Sequence, residues 1–149
     1  MSTRHHSTEL NPPQTWVAIE VAKDLHVVVI ATATQRRLYK LPNTLADVEH
    51  LITLLRDAPQ PVRIGFEPTG VYHRPLAYRL VTAGFDVVLI SSLAYSRFRE
   101  ARFTTWDKND VKDAGVLLEL LQQAITCGMS IRSSRGGTMC RRSARRIGR

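Results

Sequence analysis

Residues 16–31 read WVAIEVAKDLHVVVIA. Two β-branched, apolar runs, 16–21 and 25–32, flank the short polar break AKD at 22–24. That spacing predicts an antiparallel hairpin. Glu20 interrupts the first run, among Trp16, Val17, Ala18, Ile19 and Val21. Burying a carboxylate there is costly unless something compensates it. Glu20 is therefore either a solvent-facing residue of an edge strand or an acid held in place for chemistry.

The pattern continues outward from the hairpin. RLYKL at 37–41 predicts a third strand, ended by Pro42. In NTLADVEHLITLLRDA (43–58) the period changes, and Leu45, Val48, Leu51, Ile52, Leu54 and Leu55 share one helical face. Thr44 with Asp47 three residues later forms a capping-box pattern. VRIGFE (62–67) reads as a buried strand and EPTG as the turn leaving it. The stretch 71–84 is a helix that tolerates Pro75 in its first turn and stops at Gly84. FDVVLI (85–90) is another buried strand, and a basic–aromatic stretch, 92–106, leads to a last helix at about 109–126. The order β-β-β-α-β-α-β-α implies an α/β mixed sheet covered by helices.

The chain of 149 residues has the size of one domain, with 44% apolar and 23% charged residues. Its formal charge of +8 is unevenly placed. Residues 1–128 carry 14 Lys and Arg against 13 Asp and Glu, whereas residues 129–149 carry 7 Arg and no acid. Residues 1–15 read as a flexible N-terminal arm, 16–127 as the folded domain, and 128–149 as a disordered, Arg-rich tail without apolar period. Cys127 and Cys140 lack metal-type spacing and are expected to be free thiols. No signal-peptide pattern or run of about 20 apolar residues is present, so the expected location is the cytoplasm, without membrane association.

Four acids lie at the ends of buried elements. Glu20 is in the first strand, Glu67 closes VRIGFE, and Asp110 and Asp113 lie three apart on the last helix. Glu67 occupies the carboxyl end of a strand, where open α/β sheets place their sites. If the first and fourth strands are neighbours, Glu20 and Glu67 approach each other and the last helix brings its acids over the same edge. Converging carboxylates raise one another's pKa unless cations intervene. Oxygen-only ligands favour Mg²⁺ or Mn²⁺, and such ions activate a nucleophile and stabilise the leaving oxygen of a phosphodiester. Each acid also has an ordinary structural reading: Glu67 as a turn residue before Pro68, and Asp110 and Asp113 as acids favoured near a helix start. His26 and His73 have no evident partners and read as structural or surface residues.

At this combination the sequence resembles the N-terminal catalytic domain of DEDD-type insertion-sequence transposases (group one-ten), related to the Piv invertase. The resemblance rests on IEVAKD (19–24), FEPTGVYHRPLAYRL (66–80) and DKNDVKDAGVLLELL (107–121). It runs from about residue 16 to 127. It implies an RNase H-like, RuvC-like fold and four acidic metal ligands: Glu20, Glu67, Asp110 and Asp113. It also implies Mg²⁺ or Mn²⁺ as cofactor, metal-dependent DNA cleavage and strand transfer, and a homo-oligomer acting on DNA, or on a structured RNA.

Three departures from the family pattern stand out. Glu20 replaces the family's Asp, placing its carboxylate about 1.5 Å further out. Asn109 stands where Thr is usual. The family's second, nucleic-acid-binding domain has no counterpart after Cys127, which leads to the expectation of a frameshifted or truncated chain with weakened activity. The alternative expectation is a non-catalytic remnant that binds nucleic acid or dimerises with intact transposase. DNA contact is expected in YSRFREARFTTWDK (95–108), where Arg97, Arg99, Arg102 and Lys108 interleave with aromatic residues. The same stretch equally reads as an amphipathic helix with its Phe residues in the core.

Overall fold

The computed structural model describes residues 12–68, 70–102 and 110–123, excluding the side chains of Asp110 and Val111. The chain orders its elements as β1 (Thr15–Glu20), β2 (Leu25–Ala31), β3 (Arg36–Pro42), α1 (Leu45–Arg56), β4 (Val62–Phe66), α2 (His73–Thr82), β5 (Asp86–Leu89), α3 (Ser92–Arg102) and α4 (Asp110–Gln123). The strands form one sheet in the order β3-β2-β1-β4-β5. β1, β2 and β3 make an antiparallel meander, while β1, β4 and β5 run parallel. This is the mixed α/β sheet expected from the sequence.

Two differences from the sequence reading concern elements. The stretch beginning at residue 92 folds into a full helix, α3, so two helices rather than one follow β5. Also, β1 starts at Thr15, within the expected arm: Thr15 is fully buried, and its Oγ1 donates to the Pro59 carbonyl at 2.6 Å. The expected disordered tail (128–149), both cysteines and most of the N-terminal arm lie outside the described residues.

The sheet is central because its two faces carry separate cores. Strand side chains alternate between faces. One set, including Val17, Ile19, Val28, Ile30, Ile64 and Phe66, packs with α1 and α2. The other, including Ala18, Val27, Val29 and Ala31, packs with Leu117, Leu118 and Leu121 of α4 and Tyr95 of α3. Two features hold the first layer. Thr44 caps α1, accepting from the Asp47 N–H at 3.1 Å, and α2 ends before Gly84, whose φ of +95° suits a residue without Cβ.

On the second face, α4 lies across the centre of the sheet. Its approach requires Gly65, because a Cβ there would stand 2.6 Å from Leu121 Cδ1. Leu121 is itself fully packed, at 1% exposure, so it has little freedom to retreat. Among the described residues, no helix is long and apolar enough to cross a membrane.

Candidate acidic site at the sheet edge

The position of Glu20 follows from alternation. Ala18 belongs to the α4-side core and Ile19 to the opposite one, so Glu20 falls on the α4 face. Its neighbour in the parallel direction is fixed by register: Ile19 pairs with Phe66. Glu20 closes β1 and Glu67 follows directly after β4, so each acid lies one residue beyond the last paired position of the two neighbouring strands. Gly65 faces α4, so Glu67, two residues later, continues on the same side. The condition for bringing these two acids together, adjacency of the first and fourth strands, is therefore met.

The third acid comes from above. Asp113 is buried in the first half of α4, next to Ala114, which is also fully buried. Asp110 is the first residue of the same helix, and its side chain lies outside the described residues.

One side chain reports on all three described acids at once. Tyr95, on the first turn of α3, is 7% exposed, and among the described residues its buried hydroxyl has no hydrogen-bond partner. Burial pushes the phenol well above its ordinary range, and the Glu20 and Asp113 carboxylates push it further. Arg99 acts in the opposite direction, and Glu67 adds a smaller upward push. The phenol therefore keeps its proton, and it feels the charge of three carboxylates and one guanidinium without bonding to any of them. Glu20 also places one carboxylate oxygen, Oε2, in a buried position.

Arg99 enters this cluster through Asp113. Its Nη2 lies 3.3 Å from Asp113 Oδ1, with the two side chains 20% and 7% exposed. One turn further along α3, Arg102 pairs with Glu119 of α4 and its guanidinium lies 6.0 Å from the centre of the Phe98 ring. Of the four cations expected to contact DNA, these two form ion pairs that connect α3 to α4. Arg97 is exposed, and Lys108 lies outside the described residues.

The donors fit a hard divalent cation in kind, being carboxylate oxygens without His or Cys. His26 and His73 stand apart. His26 faces the opposite side of the sheet, where its Nδ1 accepts the Ala22 N–H at 3.2 Å. His73 sits 6.4 Å from Phe66, ring centre to ring centre. Among the described residues, no three His, Cys, Asp or Glu side chains are drawn close enough to form a ligand group. Glu20 and Asp113 belong to elements packed on the same face of the sheet, without closing around a common point.

Tyr95 was not foreseen as part of the site. The available signal was the spacing of Tyr95, Phe98, Arg99 and Arg102, which is i, i+3, i+4, i+7 and therefore one helical face. That face lies on α4, so the polar residues in it serve the acids instead of solvent.

Comparison with known proteins adds three findings. No curated protein matches the chain. Among solved structures, Thermus-type RuvC ("T. thermophilus RuvC in complex with Holliday junction substrate") is similar at 10% identity, covering 79% of this chain and 99% of that one, with a TM-score of 0.48. A family model described as "Transposase", that of the DEDD transposases of the IS110 group, matches residues 17–132. Families of this DEDD type generally use divalent metal ions. The matched span includes β1 with Glu20, β4, and α4 with Asp110 and Asp113, and on this basis the chain belongs to the IS110-group DEDD transposases.

Proposed function

We propose that this domain supplies the carboxylate centre for divalent-metal-dependent DNA cleavage and strand transfer in transposition. The observation that carries the proposal is that β1, ending in Glu20, and β4, leading to Glu67, are parallel neighbours, while α4 packs its buried Asp113 over the same face of the sheet. In this reading Glu20, Glu67, Asp113 and Asp110 hold Mg²⁺ or Mn²⁺. When bound, such an ion polarises the scissile phosphodiester and lowers the pKa of an attacking water or hydroxyl.

The chain's own residues prepare that site. Glu20 and Glu67 are presented by the rigid backbone of neighbouring parallel segments, so their spacing is set by the sheet. Asp113 is fixed by burial and by Arg99. Tyr95 keeps its proton and offers a donor to whatever oxygen enters the cluster. Arg97, exposed on α3, remains available to a phosphate. Glu20 is the weak point: its extra methylene displaces the carboxylate, and misplacement of ~1 Å can cost about 10²-fold in rate.

The test is nicking of supercoiled DNA with Mg²⁺ or Mn²⁺. Activity should require the ion, vanish in Glu67→Ala and Asp113→Ala, and rise in Glu20→Asp. Equal nicking in the presence of a chelator refutes the proposal.

A second reading, a nucleic-acid-binding module without cleavage, is favoured by one observation. Asp113 already has a positive partner in Arg99, so part of the acidic charge is balanced without any metal. DNA retention without metal-dependent nicking, in both the natural chain and Glu20→Asp, selects this second reading.

A further inference from the structure

The acidic cluster contains a cation of its own. Arg99 approaches Asp113 at 3.3 Å and acts electrostatically on Tyr95, the same hydroxyl that Glu20, Asp113 and Glu67 act on. Its guanidinium therefore sits directly against one of the acids. Arg102, three residues later, differs: it pairs with Glu119, and its side chain is 54% exposed. A carboxylate as buried as Asp113 requires a positive partner, because an uncompensated buried charge is strongly destabilising. Arg99 meets that requirement.

A divalent cation would make a competing claim on the same oxygens. The Arg99 guanidinium, 3.3 Å from Asp113 Oδ1, lowers the attraction of that carboxylate for a second positive charge. The cluster also has an unused ligand-facing group, the Tyr95 hydroxyl, which is buried and has no hydrogen-bond partner.

We infer that Arg99 is a built-in counter-ion of the acidic site and that binding of a divalent cation displaces it from Asp113. The inference rests on the proposed role of the acids as cation ligands. It assigns Arg99 a positioning role: it holds Asp113 in place before the cation arrives, and it sets a threshold that the cation must overcome. It also accounts for the open arrangement of the three described acids, since the guanidinium occupies the charge-balancing position.

Mn²⁺ affinity, measured by electron paramagnetic resonance on the intact chain, tests this directly. Arg99→Gln should bind Mn²⁺ about tenfold more tightly than the natural chain, because one competing positive charge is gone. Arg99→Lys, which keeps the charge, and Arg102→Gln, which loosens the same helix pair elsewhere, should both stay near the natural affinity. Unchanged or weaker binding in Arg99→Gln overturns the inference and leaves the metal reading standing. Absence of Mn²⁺ binding in every version overturns both. A second measurement on the unmodified chain does not depend on any variant folding. The Arg99 Nε–H resonance should move to the position of a free arginine as Mg²⁺ saturates the protein. A resonance that stays in place under saturating Mg²⁺ overturns the inference.

Discussion

Gly65 of β4 and Leu121 of α4 meet so closely that a Cβ on the glycine would lie 2.6 Å from Leu121 Cδ1. This contact sets the height of α4 above the sheet, and with it the height of Asp113 above Glu20 and Glu67. A methyl group at residue 65 must push the helix outward or force Leu121 into a poorer rotamer. Gly65→Ala is expected to lose about 1–3 kcal/mol of stability in urea unfolding. Adding Leu121→Ala should recover part of that loss, so the double variant should be less destabilised than the two single effects added together.

Tyr95→Phe should behave in the opposite way. The hydroxyl is buried and lacks a hydrogen-bond partner, so removing it relieves a desolvation cost of about 1–3 kcal/mol. Without added divalent ions, Tyr95→Phe is expected to melt at or above the temperature of the natural chain. A clear drop in melting temperature would mean that the hydroxyl is satisfied in solution.

Thr44 caps α1 by accepting from the Asp47 N–H and donating to the Asp47 carboxylate. Thr44→Ala should cost about 1 kcal/mol, and Thr44→Ser should cost little, since the hydroxyl survives. Chemical denaturation of the two variants separates the cap from a general effect of the site.

His26 gives a pH dependence with a defined sign. It is fully buried, and burial holds its pKa below the ordinary value of 6.5, while the neighbouring Asn43 side chain pulls weakly the other way. The unfolded chain therefore takes up a proton at a higher pH than the folded one. Above about pH 6.5 the contribution to stability is complete, and it declines as pH falls from there towards the folded pKa. Melting temperature should drop across that interval, and His26→Gln should flatten that part of the curve. A flat profile in the natural chain would show that His26 charges freely in the fold.

Much of the architecture was readable from residue patterns. The hairpin of β1 and β2, the capped helix α1 and the buried strands β4 and β5 each follow from a clear period or a specific terminal residue. The adjacency of β1 and β4, on which the site depends, was stated as a condition, because strand order is set by tertiary packing and leaves no local trace. α3 was harder for a different reason. Tyr95 is its one buried side chain in a run otherwise rich in Arg and Ser, and a helix packed through ion pairs has little apolar stripe to detect. The same property hid the role of Arg99. Its charge suggested an external polyanion, and nothing local in the sequence pointed to its internal partner, Asp113, fourteen positions later on the next helix.

The central claim is that Glu20, Glu67 and Asp113 form one divalent-cation site. Paramagnetic broadening by trace Mn²⁺ in amide NMR spectra tests it most directly. The account predicts that signals around residues 20, 67 and 113 broaden first and together, and that Glu67→Ala removes the effect at all three. Broadening at one of the three alone, or at surface acids such as Glu49 and Asp57 before any of them, would contradict it.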